Sequence, residues 1–341
     1  MKVQATAFAA VVRCCCECPA NICNPATHEL LSEAGPTFRV ADQEIPSPVT
    51  FIAYGDMRFT DPANGDVTNP QVRQWLVKKV AEEAPAAILL SGDVPFTGGN
   101  NNDYLIYRSE TQPWRQAHVR VFPALGNHEF RGGSPEECLA NWWAAFPGLR
   151  DRRWYSAQLG SRVYTITLDS DASLLCDSMQ RRWLVRQVQE LPATVDFLII
   201  SLHHPPVADI QTHFEVDHNP RPNEIALRDL LSKLGPQMHA RMVVSAGHIH
   251  NYERHLVGDV VYLVSGGGGA KSYPVERTPD DLYHSDLFPN FNYVKFTLQG
   301  DRLMGTMYRV TDPDASVLTV QPKDSFQVMA KSRSGRAAPL R

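Results

Sequence analysis

Eight Asp, Asn and His residues, types that ligate divalent transition metals, fall in five short clusters along the chain. The clusters read Gly55-Asp56-Met57-Arg58, Gly92-Asp93, Gly126-Asn127-His128-Glu129, His203-His204-Pro205-Pro206 and Gly247-His248-Ile249-His250. They hold five of the 12 histidines. A carboxylate able to span two ions is the natural centre of a two-metal hydrolytic site, with imidazoles and an amide oxygen at the outer positions. Asp93 suits the bridge. Asp56 and His250 would complete one ion, while Asn127, one His of the His203-His204 pair and His248 would complete the other. Two such ions lower the pKa of a shared water from ~15.7 towards ~7 and balance charge on a phosphoryl group during in-line displacement.

Clusters so far apart in sequence can meet only if the elements before them share an edge. Each follows an apolar run: VTFIAY (49–54), AAILLS (86–91), VRVFPAL (119–125), DFLIIS (196–201) and ARMVVSA (240–246). Read as strands, these runs deliver the polar residues to the end of a sheet where α/β folds bind ligands. Helical patterns lie between them, which predicts an α/β core. Asn69-Pro70 caps a helix from Gln71 to Ala84, and Ser134-Pro135-Glu136-Glu137 forms a capping box. Asp177 and Gln180 are read as the start of the next helix, and Asn223 onward as another, closed by Gly235-Pro236. Further strands are expected at 162–168, 260–265, 293–298 and 302–310, the last two joined by a hairpin turn at Gln299-Gly300-Asp301. Polar connections over 95–112, 205–222 and 266–291 are expected to wall the pocket.

Composition narrows the class of function. A 43% apolar and 21% charged chain is that of an ordinary globular protein. A net charge of −4 without a basic block argues against nucleic acid as partner. No apolar run reaches the ~18–20 residues that span a bilayer, so the body reads as soluble. Five of the seven cysteines (Cys14, Cys15, Cys16, Cys18 and Cys23) crowd the N-terminus, leaving Cys138 and Cys176 in the body. A leader without structure, a signal for export and a zinc knot stand as alternatives for that stretch, with Arg13 and the adjacent cysteines counting against the last two. The chain divides into a Cys-rich leader and linker (1–47), a catalytic domain (48–312) and a polar, solvated tail (313–341).

The ordered motifs Asp, Gly-Asp, Gly-Asn-His-Glu, His-x-Pro and Gly-His-x-His resemble those of the calcineurin-like metallophosphoesterase superfamily. Gly247-His248-Ile249-His250-Asn251-Tyr252-Glu253-Arg254 is particularly similar to the purple acid phosphatase branch. The resemblance implies two mixed β-sheets packed as a sandwich, flanked by helices in four layers. It implies hydrolysis of a phosphate ester by a metal-activated hydroxide at a dinuclear site of Mn, Fe or Zn, divalent or trivalent. A cyclic-nucleotide or glycerophosphodiester phosphodiesterase and a non-catalytic phosphate- or metal-binding relative are the alternatives. By resemblance Asp93 bridges, Asp56 and His250 bind the first ion, and Asn127, His203 and His248 bind the second. His128 stands near the leaving group, and the His-x-Pro register favours His203 over His204.

Two positions depart from the family. Where many members carry Asp-x-His in the first motif, this chain has Arg58, and where purple acid phosphatases supply a Tyr after the bridging Asp it has Phe96. Arg offers only donors and Phe no ligand atom, so the first ion is one protein ligand short. Arg58 is instead a candidate fork for the substrate phosphate. The missing Tyr counts against ferric iron. His118, His239 and His255 read as surface or packing residues, whereas His213, His218 and His284 lie on the pocket-wall loops. The run Gly266 to Gly269 reads as a turn closely approached by other backbone.

Overall fold

The computed structural model describes residues 35–213 and 215–332. The N-terminal cysteines, with the alternatives for that stretch, lie outside the described residues. Among the described residues, thirteen strands form two mixed sheets. The smaller contains β2 (Val49–Tyr54), β3 (Ala87–Leu90), β4 (Arg120–Pro123), β11 (Asn292–Gln299), β12 (Arg302–Val310) and β13 (Val320–Met329), in the order β13-β12-β11-β2-β3-β4. The larger contains β1 (Phe38–Val40), β5 (Tyr155–Leu159), β6 (Val163–Thr167), β7 (Phe197–Ser201), β8 (Arg241–Ala246), β9 (Tyr252–Val257) and β10 (Val260–Ser265), in the order β1-β5-β6-β7-β8-β10-β9. The central pairs β2–β3, β3–β4, β6–β7 and β7–β8 are parallel. Their downstream ends carry the five clusters.

Strands buried on both faces are apolar throughout, and the alternation of side chains divides the core. Phe197 and Ile199 of β7 face the other sheet, where Phe51 of β2 stacks on Phe296 of β11 with ring centroids 4.8 Å apart. Leu198 and Ile200 face outward onto Trp183 and Leu184 of α5 (Met179–Gln189) and Leu227 and Leu231 of α6 (Pro222–Leu234). Beyond the smaller sheet lie α1 (Pro70–Glu82), α2 (Asn101–Glu110), α3 (Gln112–Gln116) and α4 (Pro135–Ala145). Trp114 of α3 packs edge-on against Tyr54 of β2 and donates its indole N–H to the Val77 carbonyl of α1. This is the four-layer sandwich expected. No helix among the described residues is long and apolar enough to cross a membrane.

Local signals place α1 and α4 as read: the Asn69 side chain accepts from Val72 N–H, and Ser134 and Glu137 complete a capping box. Four expectations are corrected. Ser178, not Asp177, caps α5, while Gln180 turns inward to bind both the N–H and the C=O of Asp169. The stretch 95–112 is no open loop, because α2 occupies most of it with Tyr104 and Tyr107 buried. The linker to residue 47 contains β1, which pairs parallel with β5. The tail expected in solvent supplies β13, an edge strand that pairs along the full length of β12.

Candidate metal centre

The five clusters meet where the downstream ends of β2, β3, β4, β7 and β8 come together, so both sheets contribute. Sharp turns are needed to aim the side chains inward. Asp56, Arg58, Asp93 and His248 all take left-handed backbone conformations, with φ of 62°, 48°, 52° and 72°. Non-glycine residues in that region store strain of about 1–3 kcal/mol each, which persists where surrounding contacts over-determine it. Those contacts are visible. The Glu129 carboxylate accepts from the N–H groups of Asp93, Val94 and Gly126, tying the second cluster to the third. Arg73 of α1, fully buried, donates to the Arg58 and Thr60 carbonyls while paired with Glu110 at 2.7 Å. The Gly266–Gly269 turn lies against the first cluster: a Cβ at Gly268 would sit 2.3 Å from the Gly55 carbonyl oxygen.

Asp93 lies at the middle of the assembly. Its Oδ1 accepts the His128 backbone N–H and stands 3.2 Å from His203 Nε2, and its Oδ2 is 3.7 Å from His128 Nε2 and 3.4 Å from Arg58 Nη2. His203 Nδ1 faces the Ser91 carbonyl at 2.8 Å. A carbonyl only accepts, so in the neutral ring Nδ1 carries the proton and Nε2 offers a lone pair. That lone pair points at Asn127 Oδ1, 3.0 Å away, at His248 Nδ1, 3.1 Å away, and at Asp93. Acceptors gathered on acceptors in the interior call for a cation among them. His250 behaves alike: Nδ1 faces the Lys271 carbonyl at 2.8 Å, leaving Nε2 buried without a hydrogen-bond partner 3.6 Å from Asp56 Oδ1, itself unpartnered. The donor set therefore fits divalent cations.

Electrostatics keep Asp93, His248 and His250 in ligand form. Burial pushes Asp93 up, but His203, His128 and Arg58 outweigh it and hold the carboxyl well below the usual range. Burial pushes Asp56 up to about 7, with His203 pulling down and Asp93 pushing further up. Burial, first among the causes, lowers His128 to about 3 and His250 to about 3, and His248 well below its ordinary value. Neutral imidazoles beside an ionised carboxylate are what a metal ion requires of its ligands.

The structure brings together the residues singled out: His203 with His204 and His248, and Asp56 with Asp93 and His203, form two tight groups sharing His203, and Asn127, His128 and His250 lie against them. Of the adjacent pair, it is His203 whose ring reaches Asp93. His204 turns its Nδ1 to the Ser170 hydroxyl at 2.8 Å. Arg58 lies over Asp93, and the Phe96 backbone carbonyl accepts a hydrogen bond from His128 Nδ1, 2.5 Å away. A cleft of about 380 Å³ opens beside the cluster, lined by Arg58, Arg131, Lys271, His218, His250 and Tyr273, among others. Arg131, Lys271 and Tyr273 were not foreseen. Arg131 stands two residues beyond Glu129, a proximity that could have flagged it, and the other two lie on the 266–291 connection expected to wall the pocket. His218 packs on His248 with centroids 4.4 Å apart and shares a 2.6 Å contact with the Tyr273 hydroxyl.

No curated protein matches the chain by sequence. Among solved structures it is similar to a purple acid phosphatase from yellow lupin (Lupinus luteus) seeds, at TM-score 0.68 and 18% identity over 86% of this chain. It spans 56% of that protein's length. A dimetal phosphatase from Danio rerio aligns at TM-score 0.55 and 14% identity, over 83% of this chain and 99% of that one. GAP50, the anchor in the inner membrane complex of Plasmodium, aligns at TM-score 0.56 and 13% identity, over 81% and 89%. At such identities the likeness speaks for the fold. The profile of the calcineurin-like phosphoesterases matches residues 49–252, more than half of the sequence and all five clusters, and the chain belongs to that family.

Proposed function

We propose that the protein is a metal-dependent phosphoester hydrolase with two ions at this centre. Asp93 would lie between them, with Asn127, His203 and His248 holding one ion and Asp56 and His250 the other. The observation that carries this reading is the set of inward-facing acceptors, with His203 Nε2 at 3.0 Å from Asn127 Oδ1 and the unpartnered pair of Asp56 and His250 beside it. Bound ions would supply an acidified water and balance the negative charge of the phosphoryl group. The chain itself supplies the rest. Arg58, Arg131 and Lys271 give the cleft three cations suited to a phosphate dianion, with Arg58 nearest the carboxylate core. His128 Nε2, buried and without a hydrogen-bond partner, offers the lone pair that would take up a proton and pass it to the leaving oxygen.

The test is hydrolysis of p-nitrophenyl phosphate and its bis-ester, assayed with Mn, Zn and Fe after removal of metal by a chelator. Restored turnover of either ester supports the proposal. A folded, metal-loaded protein inert on both would favour a phosphate- or metal-binding relative without catalysis. The feature motivating that second reading is Arg58, whose cation stands where the family places a ligand to the first ion. Preference for the monoester over the bis-ester is expected from the three cations of the cleft.

Arg58→Ala should raise KM for the monoester about 10- to 100-fold, the worth of one charge-assisted hydrogen bond, with metal content undiminished. Arg58→His, which removes the cation and adds an imidazole donor, should tighten the weaker of two metal-binding steps in calorimetry. Two equal, tight steps unchanged by Arg58→His would show that the first ion is already fully ligated.

A further inference from the structure

A second buried cluster lies behind the pocket walls. Glu253 and His255 stand two apart on β9, so they project from one face, and Asp209 meets them from the connection after β7. Asp209 and Glu253 are completely buried and His255 nearly so. Asp209 donates its backbone N–H to Glu253 Oε2 at 2.8 Å and accepts on Oδ1 from the N–H and hydroxyl of Thr278. Its Oδ2 has no hydrogen-bond partner, the nearest cation being Arg277 Nη1 at 3.6 Å. Glu253 Oε1 is likewise buried without a partner. His255 Nδ1 faces the Asp280 carbonyl at 3.2 Å and Nε2 stands 3.2 Å from Glu253 Oε2; burial lowers its affinity for a proton, but Glu253, Asp281 and Asp209 outweigh it and raise the imidazole above its ordinary pKa.

Charge is short here. Arg277 is already committed to Asp281 at 2.7 Å, so one guanidinium faces three buried carboxylates: Asp209, Glu253 and Asp281. Even with His255 protonated, two positive charges face three carboxylates, and two buried carboxylate oxygens stay without a partner. A divalent cation that displaces the His255 proton would balance the cluster, and unpaired buried charge is otherwise costly. From this we infer that Asp209, Glu253 and His255 form a separate structural site for a small divalent cation of the Zn2+ or Mn2+ class, suited to two carboxylates and an imidazole. The site joins three segments. Asp209 begins the connection that carries His218 over the centre, and Thr278 and Arg277 continue the one that carries Lys271 and Tyr273. Both are fastened there to β9. The ion would hold the walls of the cleft in place and take no part in chemistry.

The experiment counts metal. Protein stripped with a chelator, reloaded with Zn2+ alone and desalted should retain one more equivalent per chain than His255→Gln or Glu253→Gln treated alike. Gln at 253 keeps an acceptor for the Asp209 N–H, so that variant should fold, as circular dichroism would check. An Asp93→Asn/His248→Asn chain, in which the centre between the sheets is disabled, isolates the new site from the first. It should still retain one equivalent, and adding His255→Gln should remove it. Equal retention by wild type and both single variants overturns the inference. So does a centre-disabled chain that folds and keeps no zinc, whatever the outcome for the first centre.

Discussion

Asp93→Asn should strip the protein of both ions of the centre and lower turnover by about 10³-fold, the upper range for one lost electrostatic stabiliser. The substitution preserves shape. An amide oxygen still accepts the His128 N–H, which Asp93 Oδ1 does now at 3.0 Å, so the turn should survive. What disappears is the one carboxylate that the surrounding imidazoles and Arg58 keep ionised. Asp56→Asn and His250→Asn should each weaken a single equivalent, because those residues face only one side of the cluster. Calorimetric titration with Zn2+ distinguishes the cases: loss of just one equivalent from Asp93→Asn would show that this carboxylate does not bridge.

The second large effect is expected at His128. Removing the ring in His128→Ala should lower kcat by roughly 10²–10⁴, the usual worth of a positioned proton donor. Metal content should hold, because the contact to Asp93 Oδ1 comes from the residue's backbone. His128→Gln fills the same space and should show the same kcat, which separates proton transfer from the cavity left by Ala. The deficit should shrink for p-nitrophenyl esters and grow for alkyl esters, whose leaving oxygens need the proton more. A variant that loses metal along with activity would instead make His128 a ligand.

Much of this was legible locally. The runs at 49–54 and 196–201 are apolar at every position or nearly so, and such runs between polar clusters already place strands whose ends carry ligands. Asn69-Pro70 and Ser134 with Glu137 are likewise complete signals, since a cap needs only residues within one helical turn. Other elements were hidden for physical reasons. β13 reads VQPKDSFQVM, with Pro322 and five polar side chains, because an edge strand needs no apolar face on its outer side. α2 is polar apart from Tyr104, Leu105, Ile106 and Tyr107, so its sequence resembles a loop. At α5, Asp177 and Ser178 are both good caps, and the choice falls to Ser178 because its side chain reaches the Arg181 N–H.

The sequence by itself determined the family, the sandwich and the roster of acceptor side chains, since each of these is written within a few neighbouring residues. The tertiary structure decided which of them act together. Adjacent residues in an extended segment point apart, so only packing of one sheet on the other could turn His203 towards Asp93 and send His204 to Ser170. Arg131, Lys271 and Tyr273 join the cleft, and Asp209 meets Glu253 and His255, across long stretches of chain. Nothing local records such meetings, because the distance between two loops is set by the sheets beneath them and by the closed packing of the core.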